Sequence, residues 1–299
     1  MKILFVLGGG LGNLIQATPT IKLLSKNGIE IDLLINCSTA KDLDIFKIHN
    51  VKNIYIDHPN IKYDYQLKGP FTQKINSDYG KIITPRISYA QHRPEAFVYM
   101  DMANQIGIFG NLDDTEISFV IDNSYEDYVG IYPGCKSNWS MKRWDKYDLL
   151  CSKFDKVVIF GEDDDVFSHG NPAWIKRSFE WPNHVDFFRS NLRETAGVMS
   201  KLKFFIGNDG GLSHLAAATG IKTFVLFGPS SNIKNRPFSL NCHEISLGLS
   251  CSPCQFRADE KGNQIFGSDK CDCPFNIKCM RDMNVDYVFN KIISIYNVL

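Results

Sequence analysis

Short runs of consecutive apolar residues alternate with longer amphipathic segments along most of this sequence. Residues 2–7 (KILFVL), 30–35, 51–56, 128–132, 156–160, 204–206 and 223–227 read as strands. Most of these runs are apolar on successive positions instead of every second one, the pattern of strands covered on both faces. Between them, apolar residues recur at helical spacing over 13–26, 94–108, 144–154, 192–201, 212–219 and 285–298. Strands alternating with helices predict an α/β protein whose sheets are parallel and carry helices on both faces. Residues 63–93, rich in Tyr and Lys and weakly periodic, are expected to be loops beside a cleft. The apolar pattern breaks over 122–127, and the alternation then begins again. The chain is therefore divided into an N-terminal domain, 1–125, and a C-terminal domain, 126–284, followed by a terminal helix, 285–299. Two Rossmann-like halves facing each other across a cleft are the arrangement expected.

Two of the strands run into glycine-rich turns that open helices. The first turn is Gly8, Gly9, Gly10, Leu11 and Gly12, with Asn13 placed to cap the helix and Pro19 early within it. The second is Gly207, Asn208, Asp209, Gly210 and Gly211, ahead of a helix from Leu212. A strand feeding such a turn leaves backbone N–H groups unpaired at a helix N-terminus, where the helix dipole favours an anion, so the second turn predicts a phosphate cradle. The first turn lacks the spaced GxGxxG fingerprint of dinucleotide binding, and reads either as a ligand contact or as a tight turn that lets helix and strand pack closely.

Composition narrows the picture. The 299 residues include 44% apolar side chains, enough for one large or two medium cores. The 33 basic and 33 acidic residues cancel, which gives no support for general nucleic-acid binding. The opening MKILFVLGGG is too short for a spanning helix and has no signal-peptide cleavage site, so a cytoplasmic location is expected, with peripheral contact at the inner face of the membrane left open. Of nine cysteines, five (Cys251, Cys254, Cys271, Cys273, Cys279) lie within the loop 251–279. In a reducing compartment that clustering reads as metal ligation, with a disulfide or buried thiols as the alternative. A structural four-thiolate site for zinc or iron would use Cys251, Cys254, Cys279 and one of Cys271 or Cys273, taken here as Cys273.

The segment GNDGGLSHLAAATGIKTFVLFGP is similar to the donor-binding signature of glycosyltransferase family 9, the heptosyltransferase family with the GT-B fold. ILFVLGGGLGNLIQATP near the N-terminus, IYPGCKSNWSMKRW at 131–144 and VVIFGE at 157–162 resemble further segments of that family in the same order. The resemblance implies inverting transfer of a heptose-like sugar from a nucleoside diphosphate sugar, most readily ADP-heptose, to a hydroxyl acceptor. That acceptor would be lipopolysaccharide core or another glycan, a lipid-linked or a protein hydroxyl, held by the N-terminal domain. No cofactor is needed for the transfer. Asn208, Asp209, Gly210 and Gly211 would hold the diphosphate and sugar, Lys142 would neutralise phosphate, Glu162 would meet the ribose, and His214 and Gly12 would lie beside the phosphates. Family members that modify autotransporter proteins hold iron with four cysteines. The last helix is expected to cross back onto the N-terminal domain. Asp163, Asp164 and Asp165 read as a solvated acidic loop.

One departure stands out. The family has Asp after the glycine of its first turn, proposed to activate the acceptor hydroxyl, and this chain has Asn13. An amide is no general base near neutral pH. Asn13 and Asp101 are the catalytic candidates here, with Glu95 and His92 beside them as groups that could take the proton. A nucleotide-sugar-binding protein without transfer activity, or a protein- or nucleobase-modifying transferase of the same fold, are the alternatives.

Overall fold

In the computed structural model, which describes residues 1–36, 42–86, 93–166, 178–257 and 273–298, the chain forms two parallel sheets. The first contains β1 (Lys2–Gly8), β2 (Glu30–Asn36), β3 (Val51–Tyr55), β4 (Tyr65–Lys68) and β5 (Lys81–Ile83) in the order β3-β2-β1-β4-β5. The second contains β6 (Val129–Tyr132), β7 (Val157–Phe160), β8 (Val185–Phe188), β9 (Phe204–Asn208), β10 (Thr223–Leu226) and β11 (Cys242–Ile245) in the order β11-β10-β9-β6-β7-β8. In each sheet the strand feeding the glycine turn, β1 or β9, is an interior strand. Ligands of open parallel sheets bind beyond the carboxyl ends of such strands.

Ten α-helices are seen among the described residues: α1 (Leu11–Gln16), α2 (Thr18–Lys26), α3 (Ala96–Gln105), α4 (Tyr147–Cys151), α5 (Asp163–Val166), α6 (Leu192–Met199), α7 (Gly211–Ala218), α8 (Asn232–Asn235), α9 (Lys278–Arg281) and α10 (Val285–Val298). The first predicted helix is thus two. Pro19 has no N–H to continue the ladder, and the chain re-caps at Ala17, whose N–H donates to Leu14 O at 3.1 Å. The helix predicted over 144–154 shortens to α4 because Trp144 is drawn into the second core. There it is fully buried, and its indole N–H donates to Met283 O at 2.8 Å.

Strands β4 and β5 occupy part of the stretch expected to be loop. Their short length hides any period, and β4 carries Gln66 at a buried position, where its amide donates to Asn76 O at 2.7 Å and Gly80 O at 3.1 Å. A satisfied buried amide breaks the apolar signature without breaking the strand.

The contacts of the terminal helix among the described residues are with the second core. Val288 and Ile292 of α10 are buried in the second core, Phe289 stacks on Phe154, Tyr296 packs on Phe204, and Lys153 pairs with Asp286 at 2.9 Å. The apolar face of α10 thus packs on β9 and the segment after α4. Among the described residues, no helix is long and apolar enough to cross a membrane.

The halves meet at their glycine turns. A Cβ on Gly12 would lie 2.6 Å from His214 Cδ2, and one on Gly211 would lie 3.2 Å from Leu11 Cβ. Glycine at both places lets α1 and α7 approach at their N-terminal ends, so the two turns share one interdomain surface.

Candidate functional site

The second turn is built by β9 and α7. Gly210 precedes α7 in an extended conformation, with no side-chain cap on the helix. A Cβ there would stand 2.8 Å from the Tyr132 ring, so glycine is required for the turn to close over β6. Asn208 is fully buried, with its side chain turned inward. Its amide donates to Pro133 O at 2.7 Å and accepts from the Tyr147 hydroxyl at 3.0 Å. It shapes the turn by tying β9 to the loop after β6.

Asp209 is buried beside an ammonium and an amide. Lys142 Nζ lies 3.2 Å from its Oδ2, and Asn235 Nδ2 donates to the same oxygen at 3.1 Å. Burial pushes this carboxyl up, but Lys142, His214 and its hydrogen bonds outweigh that effect, and its pKa is lowered from the ordinary value. Lys142 is itself 9% exposed and sits 5.7 Å from the centre of the Trp139 ring. An ammonium is thus held beside the opening of α7 by a carboxylate and an aromatic face.

His214, in the first turn of α7, is buried against Gly12, and its Nδ1 has no hydrogen-bond partner among the described residues. Burial is the main reason its pKa falls to about 4, and nearby Lys142 and Lys234 act in the same direction against the pull of Asp209 and Glu95. It is a neutral imidazole at physiological pH.

From Asp209 a chain of polar contacts crosses to the other domain. Asn235 Oδ1 accepts from Lys234 Nζ at 3.1 Å, Lys234 Nζ pairs with Glu95 Oε2 at 3.1 Å, and Glu95 Oε1 accepts from Asn13 Nδ2 at 2.7 Å. Asn13 Oδ1 accepts from Gly10 N–H at 2.9 Å, which fixes the orientation of its amide. Asn13 and Glu95 are therefore brought together. Asp101 is not part of this group: it lies further along α3, accepting from Arg86 N–H at 2.7 Å and Gln105 at 2.9 Å. His92 lies outside the described residues.

Glu162 is exposed just beyond β7, where its carbonyl accepts from Asp165 and Val166 N–H groups. The acidic run after it is not wholly solvated. Asp165 turns inward, pairs with Arg143 at 2.9 Å and occupies the space that a Cβ on Gly134 would need, while burial raises its pKa despite that guanidinium. Arg143 is almost fully buried, so it supports the loop after β6 instead of facing solvent.

Lys234, Asn235 and Gln255 were missed in the sequence. Gln255 Oε1 accepts from Asn235 Nδ2 at 2.9 Å and Ser231 N–H at 2.8 Å, which secures α8. The available signal was position: SSNIKN follows β10 at its carboxyl end, where ligand-facing loops belong.

The cysteines form a separate centre. Cys251, Cys254, Cys273 and Cys279 line one pocket of about 60 Å³, with Met141 and Ile277. Burial pushes the Cys279 thiol up to about 12, aided by the three other cysteines, and Ile277 N–H donates to Cys273 Sγ at 3.4 Å. Among the described residues no three His, Cys, Asp or Glu side chains are gathered as a metal-binding group. Cys271 lies outside the described residues.

Two parallel sheets opposed at their glycine turns, with a buried cation beside the second, define a GT-B protein. The model of glycosyltransferase family 9 (heptosyltransferase) matches residues 112–264, and the chain belongs to that family. It is 23% identical over 219 residues to lipooligosaccharide heptosyltransferase 2 of Campylobacter jejuni subsp. jejuni serotype O:6, a match spanning 68% of this chain and 64% of that relative. The chain thus spans just under two thirds of the curated relative's length. Two solved structures share the fold. The ADP-heptose lps heptosyltransferase II of E. coli superposes with a TM-score of 0.65 at 15% identity, over 99% of this chain and 98% of that one. The iron-containing dodecameric glycosyltransferase TibC of enterotoxigenic E. coli H10407 superposes with a TM-score of 0.67 at 15% identity, over 99% of this chain and 76% of that one.

Proposed function

We propose that this chain is an inverting glycosyltransferase that moves a heptose-like sugar from a nucleoside diphosphate, most readily ADP-heptose, to a hydroxyl of lipopolysaccharide core or a related acceptor. The observation that carries the reading is Lys142, an ammonium buried beside Asp209 at the glycine turn that opens α7. A leaving diphosphate gains negative charge as its bond to the anomeric carbon breaks. A preplaced cation and the N–H groups of Gly210, Gly211 and Leu212 would meet that charge in a site sheltered from water. His214 Nδ1 would offer a neutral hydrogen-bonding group there, and Glu162 a carboxylate for the ribose hydroxyls. The N-terminal domain would hold the acceptor, with Gly12 keeping α1 close to the donor turn.

Incubating the protein with ADP-heptose and heptose-deficient lipooligosaccharide core is expected to release ADP and extend the core by one sugar, read by mass spectrometry. Tight ADP binding without release on that core or on hydroxyl-bearing peptides would replace this reading with a donor-binding protein.

A thiophilic ion, zinc or iron, is proposed for the cysteine pocket. What supports it is donor chemistry: four sulfurs line one pocket, and a backbone N–H points at Cys273, although among the described residues the side chains are not gathered as a closed site. The Cys279 thiol, held protonated by burial, would ionise readily only against a cation. Its role would be structural, since four thiolates leave no open position. The pocket adjoins the donor turn through Gln255, next in sequence to Cys254 and bonded to Asn235. Cys279→Ser is expected to lose the metal found in the purified protein by elemental analysis and to lower its melting temperature. A wild-type protein that is metal-free and equally stable would end the proposal.

A further inference from the structure

The part-buried contact between Asn13 and Glu95 answers a question that the sequence raises. We infer that Glu95 is the general base of the transfer, the task an amide at position 13 cannot perform. This rests on the glycosyltransferase reading above and assigns a role within it.

The geometry points to Glu95 in three ways. It lies just ahead of α3 in the N-terminal domain, on the side assigned to the acceptor, and it reaches across to Lys234 of the other domain. Its two oxygens are divided: Oε2 takes the Lys234 ammonium at 3.1 Å, while Oε1 takes the Asn13 amide at 2.7 Å and the Tyr99 hydroxyl at 3.3 Å. And Asn13 keeps its carbonyl on Gly10 N–H, so at rest the amide presents an N–H donor to Oε1. A carboxylate at position 13 would instead set two like charges within hydrogen-bond distance, which is costly in a partly buried site. One negative charge belongs to this pair of positions, and here residue 95 carries it.

The Asn13 amide marks where a hydroxyl donor fits on Oε1. In the reaction the acceptor O–H displaces the amide from that place. Its proton passes to Oε1 as the oxygen lone pair forms the bond to the anomeric carbon. The bond from that carbon to the diphosphate oxygen breaks, and its electron pair leaves with the diphosphate toward Lys142 and the turn of α7. The proton on Glu95 is released to water after the products depart. No further reactant is needed.

Glu95→Gln keeps the size and the hydrogen bond to Lys234 but removes the base. With ADP-heptose and heptose-deficient lipooligosaccharide core, its kcat should fall by about 10²–10⁴-fold, the usual contribution of a positioned base. ADP affinity by calorimetry should hold, and the acid limb of the wild-type pH profile should vanish. Adding Asn13→Asp returns a carboxylate to the pair, and the double variant should recover at least tenfold over Glu95→Gln, with an acid limb again present. Recovery by charge exchange is what a purely structural ion pair would not give, because Lys234 gains no partner at position 13 from its present contacts. Glu95→Gln with kcat within a few-fold of wild type, or a double variant no better than the single one, overturns the assignment while ADP binding and turnover by the wild type leave the transferase reading standing. A wild type that binds no ADP and releases none overturns both.

Discussion

Replacing Lys142 with Ala should slow ADP release from ADP-heptose by about 10²–10³-fold, the range seen when one preorganised donor to a developing oxyanion is removed. Affinity for ADP should fall far less, because the N–H groups at the start of α7 still hold the phosphates in the ground state. The expectation follows from the state of Lys142 before any ligand arrives. Its Nζ is 3.2 Å from Asp209 and its stem is buried, so the charge is already oriented and no rearrangement is needed as the bond breaks. The same burial gives the variant a second signature. Asp209 is kept below its ordinary pKa by Lys142 among others, against the effect of burial. Removing one partner of a buried pair leaves an uncompensated charge and costs about 3–5 kcal/mol. Lys142→Ala should therefore unfold at lower urea, and adding Asp209→Asn should return part of that stability without returning activity. Equal kcat in Lys142→Ala and wild type would remove the diphosphate from this part of the protein.

Much of the fold is legible in the chain because both sheets are parallel. Interior strands such as β1, β9 and β10 are apolar on both faces, and their runs cannot be mistaken for turns. The strands that escape notice, β4, β5, β8 and β11, are short and lie toward the outside of their sheets. The donor turn is likewise visible, since a glycine-rich segment between strand and helix has few uses. What stays hidden is pairing. Asp165 looks like its neighbours Asp163 and Asp164 until Arg143 is found beside it, and nothing near Asn208 in the sequence says that Tyr147 and Pro133 bond its amide. Glu95 and Lys234 are 139 positions apart, so neither residue announces the other in sequence. Asp101 and Glu95 are equivalent candidates on spacing alone, and it is the packing of α3 that brings Glu95 to Asn13 while Asp101 meets Arg86 and Gln105. The direction of α10 follows the same rule: its apolar face was readable, but the surface it covers was not.

His214 gives the site a sensitivity to acid that can be measured without any substrate. Its folded pKa is about 4 against an ordinary 6.5, chiefly because burial disfavours the charged ring. The sign follows from which state takes up the proton. Above pH 6.5 the ring is neutral folded or unfolded, and it adds no pH dependence. As pH falls through 6.5 the unfolded chain binds a proton that the folded chain refuses, so stability declines until the folded ring also protonates near pH 4. The total loss across that window is about 3 kcal/mol. Urea unfolding at pH 7 and pH 4.5 should show this decline in wild type, and His214→Gln should remove most of it. Asp209 does not obscure the result, since its lowered pKa places its own titration below the window. ADP provides the functional control. A diphosphate bound beside His214 would favour the charged ring, raise its folded pKa and flatten the slope, so saturating ADP should protect wild type more at pH 4.5 than at pH 7. An identical gain in stability at both pH values would mean that the nucleotide binds away from α7, and the imidazole would then be a packing residue between Gly12 and the donor turn.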